Sequence, residues 1–336
     1  MDLEERIEVF SKLGNVLSNI SDDKFLQILK KAEIQNPWFT LENQIQTIKA
    51  WTHQLTAENL NAWLAPYNLV ENNKPKNVLI IMAGNIPLVG FHDFLSVLIS
   101  GNNAVIKMSS DDNVLLPFII DELLKIEANF AYKINFIEDV KSKTYDAVIT
   151  TGNDNSAKYF DYYFKDAKKI IRKNRKSVAI LDGEESKEEL ENLANDVFSY
   201  FGLGCRNVSK IFLPEDYDLN NLFEAFYPFQ DIIEHKKYAN NYDYYKAIFL
   251  MGKHELIENG FLLLKEDSSL QSPLAMLHYE FYKNFSLVEN FIKENNEQLQ
   301  CVVSKNDIPF GQTQSPNLWN YADGVDTIEF LTENYS

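Results

Sequence analysis

The stretch Asn77-Val78-Leu79-Ile80-Ile81-Met82-Ala83-Gly84-Asn85-Ile86-Pro87 decides the fold. Its first seven residues form an unbroken, uncharged run of strand length. Such a run suits a strand buried on both faces of a parallel sheet. Leu88 to Ser100 then reads as a helix, with Pro87 in its first turn and Gly101 just past its end. Working outward, Asn103 to Met108 is the next strand, and Ser109-Ser110-Asp111-Asp112 offers capping residues to a helix over Leu115 to Asn129. Further strands are predicted at Ile134 to Ile137, Asp146 to Thr150, Ile170-Ile171 and Ser177 to Leu181. Thr151-Gly152-Asn153 opens a helix running to about Lys165. This alternation predicts a doubly wound α/β domain.

On the N-terminal side, Leu3, Ile7, Phe10, Leu13 and Leu17 recur at helical spacing. A second helix is expected from Ser21-Asp22-Asp23 and a third over Leu41 to Leu55. We therefore expect a helical cover and a dinucleotide-binding domain over residues 1–183. On the C-terminal side, Ser186 and Glu189 form a capping-box pattern. Their helix runs to about Phe201 and meets Gly202-Leu203-Gly204-Cys205, followed by a strand at Lys210 to Leu213. Residues 184–309 are expected to form a second α/β domain carrying the thiol. Residues 310–336 are a tail returning to the fold, with a terminal strand at Thr327 to Leu331.

Composition narrows the function. The 336 residues are 45% hydrophobic and 13% aromatic, enough for a real core. The charge of −17 opposes phosphate backbones and polybasic membrane anchoring, so no nucleic-acid partner is expected. Two cysteines, Cys205 and Cys301, make no disulfide framework. The N-terminus lacks a basic and apolar leader, and no apolar run approaches the roughly 20 residues of a membrane span. A cytoplasmic protein without a membrane span is expected.

The five histidines show no metal-ligand spacing, so no metal site is expected. No Gly-x-Gly-x-x-Gly, P-loop or Gly-x-Ser-x-Gly motif occurs. Cys205 lies in a glycine-flanked loop beside Arg206, whose charge would favour a thiolate; taken alone, such a cysteine is more often a small buried hydrophobe. Asn85 stands where a buried strand turns toward a helix, at the crevice position of open α/β sheets, and reads as an oxyanion donor or a helix cap. Thr151-Gly152-Asn153 reads as a phosphate-binding helix start or a simple cap. Cys301 begins an apolar run and reads as a buried strand residue.

Taken together, these blocks resemble the aldehyde dehydrogenase superfamily and, within it, the LuxC-like acyl-CoA reductases. The carrying residues are Ala83 to Asp93, Ser100 to Lys107, Thr150-Thr151-Gly152-Asn153, Arg175-Lys176-Ser177, Gly202 to Arg206 and Tyr321 to Asp326. The resemblance implies that Cys205 is the acyl-accepting nucleophile and Asn85 an oxyanion donor. It implies that Lys107 contacts the adenosine ribose, that Thr151 and Gly152 meet the cofactor pyrophosphate, and that the cofactor is NADPH. Lys107 with Ser109 and Ser110 offers groups for a 2′-phosphate.

The chain departs from the pattern at Arg172, which stands where the superfamily carries its water-activating glutamate. That change argues against release of free acids and is compatible with thioester reduction. The ribose-binding glutamate is replaced by the Ser268 to Pro273 segment. The oligomerising hairpin is cut to a few residues around Pro66 to Pro75, which argues against the family's tetramer and leaves a homodimer open. The implied substrate is an acyl-CoA or acyl-carrier thioester, reduced to an aldehyde. The alternative is an acyl-binding or transferase protein that keeps the fold. The acidic chain needs a locally basic cleft for such anions, with Lys107, Arg172, Lys176 and Arg206 as its expected sources.

Overall fold

A computed structural model describes residues 1–19, 23–69, 74–140, 144–152, 154–165 and 167–333. Ser21, Asp22, Asn153 and part of the shortened hairpin lie outside the described residues. The contacts divide the chain into two compact units, residues 1–174 with 317–336 and residues 175–316. The sequence reading had expected its divisions after 183 and 309.

In the first unit, α1 (Leu3–Leu17), α2 (Asp23–Gln35), α3 (Leu41–Gln54) and α4 (Ala57–Leu64) precede the sheet. Asp2 and Glu5 form a capping box on α1. The apolar run is β1 (Asn77–Ile81), followed by α5 (Phe91–Ile99), β2 (Asn103–Lys107), α6 (Leu115–Ile126), β3 (Ile134–Phe136), β4 (Ala147–Thr151), α7 (Asp154–Tyr163) and β5 (Lys168–Arg172). The strands are parallel in the order β3-β2-β1-β4-β5. Strand periodicity sends alternate side chains to opposite faces. Val78 and Ile80 join the large cluster with Phe94, Leu95 and Leu98, while Leu79 and Ile81 pack with Val105, Val148 and Phe164. Both faces of β1 are therefore buried, as its unbroken apolar run requires.

Three local expectations are corrected. The helix expected from Leu88 starts at Phe91, so Pro87 is not in its first turn. Leu88 has φ 57°, left-handed backbone that a non-glycine residue adopts at a cost of roughly 1–2 kcal/mol. Gly90 is required behind it, because a Cβ there would lie 2.6 Å from Cγ of Met82. Next, the Ser109–Asp112 segment does not cap α6: the N-cap position is Val114 and carries no side-chain cap bond. Finally, the terminal strand expected at Thr327 to Leu331 is a helix, α12 (Thr327–Thr332), capped by Asp326 through the N–H of Glu329. Its Thr327, Ile328 and Leu331 share one buried face at helical spacing.

The second unit contains β6 (Lys176–Ile180), α8 (Lys187–Phe198), β7 (Val208–Pro214), α9 (Asn220–Phe226), α10 (Lys236–Met251), β8 (Ile257–Glu258), β9 (Leu263–Glu266), β10 (Met276–Tyr282), α11 (Phe285–Glu294) and β11 (Leu299–Val303). The sheet order is β11-β6-β7-β10-β9-β8, parallel except for the β8–β9 pair. The Ser177 to Leu181 strand, grouped by alternation with the first domain, thus belongs to this sheet. Ser186 and Glu189 form the expected capping box on α8. Phe226 is buried in this unit's core, with Phe223 and Phe229 packed against it.

Candidate active site

In the first unit, the sheet order places a topological switch between β1 and β4, outside whose carboxyl ends open α/β sheets bind ligands. Lys107 ends β2, Thr151 ends β4, and Asn85 and Ser109 lie on the loops after β1 and β2. Five of the six residues singled out by sequence, Asn85, Lys107, Ser109, Thr151 and Gly152, therefore stand at one edge of one sheet.

Asn85 is exposed on its loop. Gly84 lets that loop approach the next one, since a Cβ would lie 2.6 Å from Oγ of Ser109. Asn36, at the end of α2, donates Nδ2 to the carbonyls of Gly84 and Asp111 at 3.4 and 3.2 Å. Gln35 donates to the carbonyl of Ser110 at 2.7 Å. Oδ2 of Asp112 accepts the N–H of Leu88 at 2.8 Å. Its Oδ1 is buried without a hydrogen-bond partner. Burial pushes this carboxyl up to about 6, against the opposing Leu88 N–H.

A pH prediction follows from that direction. The folded state holds the Asp112 proton to higher pH than the unfolded chain does, so ionisation costs stability. The contribution falls as pH rises from about 4 to above 6. Asp112→Asn removes it: the stability of the variant relative to wild type should rise by up to about 3 kcal/mol across that window, read from urea midpoints. A flat difference would contradict the burial of an ionising group here.

The residue types at this edge are ones that could hold a nicotinamide dinucleotide. Lys107 supplies a cation, while Ser109 and Thr151 supply hydroxyls. Oγ1 of Thr150, one residue earlier on β4, is buried without a partner. The N–H of Gly152 donates to the carbonyl of Arg172 at 3.4 Å. Asn153 lies outside the described residues.

Arg172 does not supply charge to an open cleft. It is buried at the end of β5 and grips Asp93 of α5 with two bonds, Nη2 to Oδ1 at 2.6 Å and Nε to Oδ2 at 3.1 Å. It also donates to the carbonyl of Ala322 at 2.7 Å and to Oγ1 of Thr327 at 2.9 Å. This guanidinium ties the C-terminal segment to its own unit. His92, one residue before Asp93, bonds the carbonyl of Leu318 at 2.8 Å and packs among Trp51, Trp63 and Tyr321.

In the second unit, Cys205 is half-buried in the loop between α8 and β7. Tyr200, Phe201 and Gly202 all have positive φ, so the chain reverses sharply after α8. The buried Asn207 fixes this loop: its Nδ2 donates to the carbonyls of Asp196, Val197 and Ser199. Its Oδ1 accepts the N–H of Gly204 at 2.8 Å, and its own N–H donates to the Gly204 carbonyl at 3.1 Å. From below, Oγ of Ser177 donates to the carbonyl of Cys205 at 2.9 Å. Cys205 is thus pinned on both sides. Sequence reading passed over Asn207, although an asparagine two residues beyond a glycine-flanked cysteine offers a turn-closing side chain. Arg206 donates Nη1 to Sγ of Cys301 at 3.3 Å. Cys301 is buried on β11, as its apolar run suggested.

The Ser268 to Pro273 segment is held from the sheet. Oγ of Ser209 donates to the carbonyl of Leu270 at 2.8 Å, and Nδ1 of the buried His278 lies 3.0 Å from the carbonyl of Ser269. Burial pushes the His278 imidazole down from its ordinary value. Among the described residues no cluster of three or more His, Cys, Asp or Glu could hold a metal ion, and no helix is long and apolar enough to cross a membrane.

This architecture is the aldehyde dehydrogenase fold. Aldehyde dehydrogenase 21 from Physcomitrella patens, solved with its product succinate, matches with a TM-score of 0.65 at 14% identity, covering 91% of this chain and 74% of that one. The Mycobacterium tuberculosis aldehyde dehydrogenase, complexed with NAD+, matches at 0.65 and 15% identity, covering 94% and 76%. The indole-3-acetaldehyde dehydrogenase AldA of P. syringae matches at 0.66 and 12% identity, covering 90% and 72%. The model of the acyl-CoA reductase (LuxC) family matches residues 41–226, more than half the chain, and the chain belongs to that family. Fold and family make it an aldehyde-related oxidoreductase. No curated protein matches it.

Proposed function

We propose that the protein reduces an acyl thioester, from coenzyme A or an acyl carrier, to an aldehyde through an acyl-enzyme on Cys205. The observation that carries this reading is the double clamp on the Cys205 loop by Asn207 and Ser177. A nucleophile gains most when its position is fixed before the substrate arrives.

In this mechanism Sγ of Cys205 attacks the thioester carbon. The new C–S bond forms, the old one breaks, and the donor leaves as a thiol after protonation. Lys107, Ser109, Thr151 and the Gly152 backbone would hold NADPH, which would supply the hydride. The family resemblance gives the side-chain amide of Asn85 and the N–H of Cys205 the role of donors to the carbonyl oxygen as it becomes an oxyanion. That oxyanion then re-forms its carbonyl, the C–S bond breaks, and the Cys205 thiolate leaves the aldehyde. Arg172 supports this direction, because it stands where the superfamily carries its water-activating glutamate, and the carboxylate beside it, Asp93, is buried and bound by the guanidinium.

Incubation with acyl-CoA and NADPH tests the reading. A reductase yields aldehyde and NADPH oxidation. A transferase labels Cys205 without consuming NADPH, and a non-catalytic acyl-binding protein does neither; both results would overturn the proposal. Asn85→Ala is expected to lower turnover by about two orders of magnitude, with NADPH oxidation as the readout. Unchanged turnover would remove Asn85 from the oxyanion site.

A further inference from the structure

We infer that Asp112 is a positioning residue for the reaction: by accepting the N–H of Leu88, its carboxylate fixes the turn that carries Asn85. The inference rests on the role proposed for Asn85 and goes beyond it, since Asp112 belongs to a different loop.

Four observations carry it. Asp112 stands just before α6 yet does not cap it; its Oδ2 goes instead to the loop after β1. The residue it holds is Leu88, a buried leucine in left-handed backbone. Such a conformation persists only where surrounding contacts impose it. The two loops are already pressed together, with Gly84 against Ser109 and Asn36 bonded to carbonyls on both. Asn85 lies three residues before Leu88, and the turn continues through the Leu88 carbonyl, which accepts the N–H of Phe91 at 2.9 Å as α5 begins. Releasing Leu88 frees the backbone between Gly84 and Phe91 to relax toward ordinary φ. The Asn85 amide then loses its fixed direction, while Asn85 itself is untouched. A displacement of about 1 Å at a catalytic group costs on the order of a hundredfold in rate. Asp112 also ties the turn after Asn85 to the loop that follows Lys107 and carries Ser109, so the proposed oxyanion donor and cofactor-side residues share one support.

The test compares wild type, Asp112→Ala, Asp112→Asn, Asn85→Ala and the Asp112→Ala/Asn85→Ala double variant. Amide hydrogen exchange over residues 84–91 and steady-state reduction of an acyl-CoA by NADPH are measured on each. Asp112→Ala should speed exchange at Leu88 and lower kcat by roughly 10–100-fold with KM nearly unchanged. Asp112→Asn keeps an acceptor for the Leu88 N–H and should restore protection and most of the turnover. In the double variant Asp112→Ala should add less than about twofold to Asn85→Ala, because both act on one interaction. Fully additive losses, or an Asp112→Ala protein with released exchange and normal kcat, would overturn the inference. Unaltered exchange at Leu88 in Asp112→Ala would overturn it too. A wild-type protein without reductase activity would sink the proposed function instead, and the exchange comparison would still decide the clamp.

Discussion

Cys205→Ala is expected to abolish aldehyde formation, lowering turnover by a factor on the order of 10⁴–10⁶. Without Sγ no acyl-enzyme forms, and the donors at the carbonyl oxygen have no covalent intermediate to stabilise. The fold should survive. The contacts that pin the loop run from Ser177 to the Cys205 carbonyl and from Asn207 to Gly204, and alanine keeps both. Half-buried in a loop, the thiol leaves no large cavity behind. The measurement is aldehyde release from an acyl-CoA, alongside an unfolding curve. A fully active Cys205→Ala enzyme would end the covalent mechanism. Loss of activity with a collapsed unfolding midpoint would assign the residue to packing.

Arg172→Glu should give the largest effect on stability. By alignment this change restores the superfamily's glutamate and looks like a route to a hydrolase. In the structure it places a second carboxylate against Asp93, with both residues buried. Removing one partner of such a pair costs about 3–5 kcal/mol, because the other charge stays buried without compensation. Turning the partner into a like charge costs more. The bonds to Ala322 and Thr327 are lost as well, so the 317–333 segment loses its anchor. With total stabilities of about 5–15 kcal/mol, the variant should be largely unfolded or insoluble. Asp93→Ala should cost about 3–5 kcal/mol by the same argument. Urea midpoints and soluble yield check both. A soluble, stable Arg172→Glu protein that released free acid would show that Arg172 occupies a working site rather than an anchor.

The first sheet was legible because its strands are short, apolar and buried on both faces. Val78 to Ile81 could hardly pack otherwise. Cys205 was singled out by its flanking glycines and Asn85 by its place after a buried strand; the structure places Cys205 in the loop before β7 and Asn85 in the loop after β1. The start of α5 was not. Pro87 usually marks a first helical turn, but Asp112, twenty-four residues downstream of Leu88, holds that residue out of the helix. The terminal strand misled for a related reason. Thr327-Ile328-Glu329-Phe330-Leu331 fits either period, and the Asp326 cap with a single buried face settled on a helix.

By itself the sequence determined the fold class and most of the elements and offered Cys205 as the candidate nucleophile, because each is written in local periodicity and in residue types at fixed spacing. Tertiary structure alone decided which sheet owns the Ser177 strand, which groups pin Cys205, and what Arg172 is for. A guanidinium beside no acid in the chain reads as a free charge. Only folding brings in Asp93, 79 residues away, and makes it a buried lock.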